Sequence, residues 1–467
     1  MFSLQWLSRP AWKASRTLEP VNRLWHSAAI LLEIPLGHIL VCSVPNPGHV
    51  SPMLALAQHL NKVGHRVTFN TSEIFRDRAE SAGLRFVPFA GKANYDYRCP
   101  PGVVKSSDLT YDEKLLHHLK RVFAESIPDQ LQVIQQIRRE TPVDLILVDT
   151  IFFGVFPLLL GRREDCPPVI GCGVNPMWLS SVDCGPRVPS DGTPEGNRSA
   201  LEDTKGFHKR FQPLHDEIDR QLHLYGTQSM PHYCFDSMYL LPDVFLQFTA
   251  EAFEFPRSDK PDSIRFVGPL LPAPSATFEE PAWWSELDDS RPVVLVTQGT
   301  LANQDFNEVI QPALNGLADE HILVIVAAGR SDTETIVAPA NARVASFIPF
   351  DRLLPKVDVM VTNGGYGAVN HALSLGVPVV TAGDTEDKEW VSARVGWSGA
   401  GINLKTRYPK PEQIRDAVRT ILNEERYQKE ACRLRRDFAR YNALGEVAEV
   451  VESTLAQEKT MATPVAS

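Results

Sequence analysis

The chain has 467 residues, enough for about three domains at roughly 150 residues each or for two large ones. Apolar residues make up 43% and charged residues 22%, the balance of a globular enzyme with a sizeable core, which excludes a disordered or fibrous chain. Forty-seven basic against 57 acidic side chains leave a net charge of −10. That balance argues against a broad phosphate-backbone surface and so against nucleic acid as partner, although a local anion site stays open.

Met1 to Leu18 carries Arg9, Lys13 and Arg16, several hydroxyl residues and no acid. This is the look of a mitochondrial targeting segment, or simply of an extension that adds little to the fold. We expect residues 1–36 to lie outside the folded domains and the protein to be cytoplasmic, or mitochondrial if the basic stretch is a targeting segment. From His38 short apolar runs alternate with amphipathic stretches. His38–Val44 reads as a buried strand, Pro52–Leu60 as a helix stopped by Gly64, and Arg66–Thr71 as the next strand. Further strands are expected at 84–87, 144–149, 169–172, 244–248 and 264–267. The stretch Val143–Leu160 is the nearest to a membrane span, but Asp144 and Asp149 interrupt it, so strand plus buried helix fits better. Asn175–Asn197 is rich in Pro, Gly and Ser and reads as a surface loop. His208, His215 and His223 could share a helix face, but steps of seven and eight residues are too long for one metal, so they read as surface residues.

Composition shifts near Phe255. Six prolines stand between Pro256 and Pro281, among acids, as in a linker. Beyond Ser290 the rhythm restarts with apolar runs at 293–297, 322–327, 357–362 and 377–381, then helices at 411–422, 426–440 and 446–455. Strands alternating with helices imply parallel βαβ units. The expectation is an α/β chain of two doubly wound Rossmann-like domains facing across a cleft, at 37–255 and 291–425. The linker would be 256–290, and the C-terminal helices and tail, 426–467, would pack back on the first domain. Sheets of this kind bind ligands beyond the carboxyl ends of their strands. The seven cysteines form no C-x-x-C pair and are odd in number, which argues against a zinc ribbon or a disulfide framework and fits a reducing compartment.

Three places could carry chemistry. Pro45-Asn46-Pro47-Gly48-His49 lies between the first strand and the first helix. An imidazole there can take a proton from a hydroxyl, or merely help cap the helix. Asp149 closes a buried strand, where a carboxylate is costly unless paired, and it could orient an imidazole or cap a helix. The strongest is Asn363-Gly364-Gly365-Tyr366-Gly367-Ala368, a Gly-rich turn from strand into helix whose amides could hold a phosphate. It is neither G-x-G-x-x-G nor a P-loop, which weakens nicotinamide and ATP readings. Gln298-Gly299-Thr300 offers a second turn aimed the same way.

At these positions the chain resembles the family-one UDP-glycosyltransferases, especially their bacterial macrolide and fungal members, from His38 to about Leu455. Phe347-Ile348-Pro349-Phe350 is similar to the family's base-binding W-x-P-Q element. Asn363–Gly367 is similar to its phosphate turn, and Gly376-Val377-Pro378 to its following G-V-P. Asp387-Lys388 stands where the family grips sugar hydroxyls with D/E-Q, 24 residues after Asn363 as in the family pattern. Pro45–His49 resembles the family's acceptor-activating histidine motif, with Asp149 in the place of its carboxylate partner. The chain departs from the pattern at Asn363 for His, at His371 for the ribose-contacting Glu, at Lys388 for Gln and at Phe347 for Trp.

The resemblance implies a GT-B fold and inverting transfer of a hexose from a UDP-sugar to a hydroxyl of an apolar small molecule, such as a polyketide, terpenoid, sterol or phenolic. It implies His49 as general base with Asp149 beside it. The donor would be held by Gly48, Gly299, Thr300, Phe347, Ile348, Phe350, Asn363, Gly364, Gly365, Gly367, Ala368, His371, Asp387 and Lys388. Met177, Trp178, Phe152 and Phe153 would line an acceptor pocket or simply pack the core. No permanently bound cofactor is implied, and no Asp-x-Asp or clustered ligand motif calls for a metal. No transmembrane segment is expected, and the oligomeric state is open. Competing readings are a catalytically impaired homologue that only binds, and another two-domain sugar-nucleotide enzyme such as an epimerase.

Overall fold

The structure is a computed structural model that describes residues 36–99, 101, 108–272, 275, 278–299, 303–330 and 332–462. The N-terminal extension expected at 1–36 falls, but for Leu36, outside the described residues, as does Thr300. The described residues divide into two compact units. One holds residues up to Glu251, Phe255–Leu270 and residues from Tyr441 onward; the other holds Ala252–Glu254 and Leu271–Arg440.

The first unit is built on seven parallel strands: β1 (His38–Cys42), β2 (Arg66–Thr71), β3 (Arg85–Pro88), β4 (Leu145–Asp149), β5 (Val169–Gly173), β6 (Val244–Gln247) and β7 (Ile264–Phe266). They lie in the order β3-β2-β1-β4-β5-β6-β7. The second unit holds β8 (Val293–Thr297), β9 (Leu323–Ala327), β10 (Ala342–Ala345), β11 (Val359–Thr362), β12 (Val379–Thr381) and β13 (Gly401–Asn403), in the order β10-β9-β8-β11-β12-β13. β1, β4, β8 and β9 are buried along their whole length, as strands covered by helices on both faces must be, and so they read as unbroken apolar runs. In each sheet the order reverses once, between β1 and β4 and between β8 and β11. The crevice at the carboxyl ends of such a pair is where a doubly wound sheet leaves room for a ligand.

Several sequence expectations need correction. The first helix runs Pro47–Lys62, not from Pro52, because Pro47 presets the first helical φ and Asn46 takes the extended cap conformation. His49 therefore sits inside the first helical turn rather than in a free loop. The edge strands β10 and β13 carry no apolar run to announce them, since most of their residues are half-exposed. Asn175–Asn197 is not a surface loop throughout: Asn175–Leu179 is buried, and a 30-residue helix begins at Pro194, capped by the Thr193 hydroxyl on the Gly196 amide. His208 and His215 on that helix are not plain surface residues. Both rings stack on that of Tyr233, with centroids 3.9 and 5.2 Å away, and only His223 of the three is exposed.

Helix Glu425–Phe438 packs within the second unit, with the Gln428 amide donating to the Gly376 carbonyl at 2.9 Å. Helix Ala443–Ala462 instead contributes Val447, Val451 and Leu455 to the core of the first unit, beside Ile39 and Leu56. The seven cysteines are free thiols. No helix among the described residues is long and apolar enough to cross a membrane.

The second unit also holds a fully buried ion pair. Arg394, on helix Lys388–Trp397, meets Glu254 of the three-residue segment Ala252–Glu254, and its guanidinium also donates to the Trp390 carbonyl at 3.0 Å. Removing one partner leaves the other charge buried without its counter-charge in this pair. Glu254→Ala should cost about 3–5 kcal/mol in urea unfolding, and adding Arg394→Leu should restore part of it. A loss below about 1 kcal/mol would show the pair to be dispensable.

Candidate active site

The end of β1 runs through Ser43-Val44-Pro45 into helix Pro47–Lys62. The His49 amide donates to the Asn46 carbonyl at 2.9 Å, which sets the imidazole in the first turn. β4 lies beside β1 with Cys42 opposite Val148, so Asp149 comes level with Ser43. The Asp149 carboxylate accepts the Val44 amide at 2.6 Å and the Ser43 hydroxyl at 3.0 Å on one oxygen, and the Ile151 amide at 3.1 Å on the other. Three donors satisfy a charge that burial would otherwise penalise. His49 Nδ1 stands 3.4 Å from Asp149 Oδ1, the two side chains being 10% and 0% exposed. That is an electrostatic contact, longer than an ordinary N–H···O bond. With Nδ1 turned to the carboxylate and protonated, Nε2 keeps its lone pair. Gly48 is exposed in the same turn, with no atom within 4 Å of where a side chain would start.

Sequence reasoning missed Ser43 and the Val44 amide, whose signal was their place directly after β1. It also missed Tyr95, a buried phenol whose pKa is raised first by burial and then by the Asp149 charge. Phe152, Phe153, Met177 and Trp178 are buried side chains packed in the unit's own interior. Phe152 stacks on Phe89 at 5.8 Å, and Trp178 meets Phe235 edge-on at 5.4 Å.

In the second unit β11 ends at Thr362 and the chain turns through Asn363, Gly364 and Gly365 into helix Tyr366–Ser374. Gly364 has φ +93°, and a Cβ there would come 2.9 Å from Ser392 Oγ, so only glycine fits. The Asn363 amide does not point outward. It donates to the Gln298 carbonyl at 2.7 Å and ties the end of β11 to the end of β8. Gln298 Oε1 in turn accepts the Val309 and Ile310 amides at 3.1 and 2.9 Å, which caps helix Ile310–Leu317. The groups left facing outward are backbone amides. Gly365 caps its helix without a side-chain bond, Gly367 is exposed and Ala368 half-exposed. A helix start with open N–H groups is a ready anion site. Gly299 has φ +70° and no neighbour on its Cβ side, which opens the end of β8 toward the same crevice.

The other expected donor residues differ among themselves. The Phe347 ring is 72% exposed and offers a flat apolar face, while the Ile348 side chain is in the core. The Phe350 ring is 6.1 Å from that of His371. Burial lowers the His371 imidazole to about 4, more than Asp351 raises it, so the ring is neutral at pH 7. Asp387 begins helix Lys388–Trp397. Burial lowers the Lys388 ammonium to about 8, with Glu308 and Asp384 opposing the shift and Arg407 adding to it, and the ammonium pairs with Glu386. Among the described residues no three His, Cys, Asp or Glu side chains gather as a metal site.

Residues 47–143 match the glycosyltransferase family 28 N-terminal domain, and residues 310–454 match the C-terminal domain of the erythromycin biosynthesis protein CIII-like family. The chain is 36% identical to the 4'-demethylrebeccamycin synthase of Lentzea aerocolonigenes, over 89% of this chain and 99% of that one. It belongs to the family-one UDP-glycosyltransferases. The chain is also 34% identical to UDP-glycosyltransferase 2 of Phaeomoniella chlamydospora, over 90% of this chain and 96% of that one. The calicheamicin glycosyltransferase CalG4 superposes with a TM-score of 0.69 at 22% identity, covering 92% of this chain and all of that one, which shows the GT-B fold.

The buried His371 gives a prediction of sign. Its folded pKa, about 4, lies below the unfolded value near 6.5. The unfolded chain therefore binds the extra proton, and stability falls as pH drops from 6.5 toward 4. The stability difference between wild type and His371→Gln should be flat above pH 7 and shift toward the variant below 6.5. A pH-independent difference in urea midpoints would refute a neutral, buried His371.

Proposed function

We propose that this glycosyltransferase moves a hexose from a UDP-sugar to a hydroxyl of an apolar small molecule with inversion, using His49 as general base. The carrying observation is the pinned Asp149 carboxylate, which faces Nδ1 of His49 and leaves Nε2 to take a proton. In this reading Nε2 removes the acceptor's hydroxyl proton as that oxygen attacks the anomeric carbon. The bond from that carbon to the diphosphate breaks, and its electron pair leaves on the phosphate oxygen. Attack from the face opposite the leaving group inverts the centre. Asp149 stabilises the imidazolium that forms.

The diphosphate's growing charge would meet the first-turn amides at Gly367 and Ala368 and the positive end of helix Tyr366–Ser374, equivalent to roughly half a charge. The exposed Phe347 face suits a base, and Asp387 and Lys388 suit sugar hydroxyls. Residues 37–255 would then serve the acceptor and 291–425 the donor. UDP as nucleotide is supported by the relative named UDP-glycosyltransferase 2. An apolar secondary-metabolite acceptor is supported by the relative named 4'-demethylrebeccamycin synthase.

A panel of UDP-sugars with a phenolic acceptor should show UDP release only when acceptor is present. His49→Ala should lower kcat by about 10²–10⁴ with UDP affinity unchanged; near-normal turnover would remove His49 from the reaction. Gly365 has an ordinary φ of −61° and nothing within 4 Å of its Cβ position, so Gly365→Val should fold. Its side chain would crowd the open amides, and calorimetry should show weakened UDP binding. Unchanged affinity would mean that the phosphate is held elsewhere.

A further inference from the structure

The loop from β12 to helix Lys388–Trp397 contains Asp384, Glu386 and Asp387, yet one of these acids behaves unlike the others. Glu386 has φ +48°, a left-handed conformation that a non-glycine residue adopts only under constraint. Its carboxylate accepts the Thr385 hydroxyl at 3.0 Å and folds forward onto the Lys388 ammonium. The partners differ in exposure: the Lys388 side chain is 9% exposed and that of Glu386 59%.

Lys388 is also set firmly against the phosphate turn. Its carbonyl and Cβ lie 3.4 and 3.7 Å from where a Gly364 Cβ would stand, and its Cδ lies 3.2 Å from the corresponding point at Gly383. A Cβ at Gly383 would itself strike the Asn363 carbonyl at 2.1 Å, so turn, loop and lysine form one tightly packed block. The family pattern has a neutral amide where this chain has Lys388. A buried cation in that place needs a counter-charge, and Glu386 lies outside the motif that defines the sugar position.

We propose that Glu386 pairs with the Lys388 ammonium and aims it, so that ammonium and carboxylate together present a neutral donor–acceptor pair to the hydroxyls of an uncharged sugar. The proposal rests on the donor assignment above. The ammonium donates and the carboxylate accepts, as a glutamine amide would do with its two ends. A sugar bearing a carboxylate would meet Glu386 with Asp384 and Asp387 nearby, and like charges would oppose it. Burial lowers the Lys388 pKa, Glu308 ahead of helix Ile310–Leu317 and Asp384 in its own loop oppose that shift, Arg407 after β13 adds to it, and Glu386 meets the ammonium as its ion-pair partner. Sugar binding through the ammonium is present below about pH 8 and lost as pH rises through it.

The test is calorimetry and steady-state kinetics on the full chain with UDP, UDP-glucose and UDP-glucuronate from pH 6.5 to 9. Glu386→Gln should weaken UDP-glucose about tenfold and leave UDP unchanged. It should raise donor KM rather than lower kcat, and move the alkaline rise in KM down by about one pH unit. Lys388→Gln should abolish that alkaline rise. The double variant should bind UDP-glucose no worse than Glu386→Gln alone, because the neutral amide no longer needs a counter-charge. UDP-glucuronate should bind wild type at least about tenfold more weakly than UDP-glucose. Equal binding of the two sugars, additive losses in the double variant, or a Glu386→Gln effect on kcat or on UDP itself would overturn the proposal. Wild type that binds UDP-glucose but releases no UDP would defeat the transfer reading, while the binding differences would still decide the role of Glu386.

Discussion

A carboxylate at the end of a buried apolar strand is costly, and Asp149 is tolerated only because Val44, Ser43 and Ile151 donate to it. Two of those donors come from the segment after β1, so satisfying the charge also fixes where the chain enters helix Pro47–Lys62. That entry places His49 in the first turn, with Nδ1 on the carboxylate. The same constraint recurs in the second unit with a neutral group. Asn363 spends its amide on the Gln298 carbonyl, and Gln298 spends its own oxygen on a helix start. In both sheets a buried polar side chain bridges the two strands at the reversal point, between β1 and β4 and between β8 and β11. The crevice where a doubly wound sheet leaves room for a ligand is thus bordered by the same residues whose bonds hold the sheet together.

The net charge of −10 bears on the donor side. In the proposed donor role an acidic chain needs local positive potential without a basic patch. The turn at Asn363–Ala368 contains no Lys or Arg, and its outward groups are peptide amides at a helix start. The cation nearby, Lys388, is buried and paired to Glu386 rather than displayed. Backbone amides cannot be neutralised by pH, so phosphate binding through the turn would be insensitive to pH where sugar binding through Lys388 would not.

Much of this was legible in the sequence, for physical reasons that also mark the limit. The central strands were read correctly because burial on both faces demands continuous apolar runs, as in HILVC, LILVD and VVLVT. The edge strands Ala342–Ala345 and Gly401–Asn403 escaped because half-exposed strands need no such run. The residues of the phosphate turn were legible because glycine at a positive φ has few alternatives. The direction of the Asn363 amide was not, since it depends on the Gln298 carbonyl 65 residues away. Ser43 and Glu386 were invisible for the same reason. A serine or glutamate in a loop is unremarkable until its partner across the sheet or along the turn is known.

The two site histidines show how environment, more than residue type, assigns the work. His371 is enclosed, and burial outweighs the pull of Asp351, so its ring stays neutral down to about pH 4 and cannot accept a proton usefully. His49 has a fully buried carboxylate 3.4 Å from one nitrogen, and its own side chain is 10% exposed. In the proposed general-base role that carboxylate would stabilise the imidazolium as it forms in the transition state. Environment thus separates the two rings: no carboxylate beside His371 outweighs its burial, while His49 stands directly against the buried Asp149.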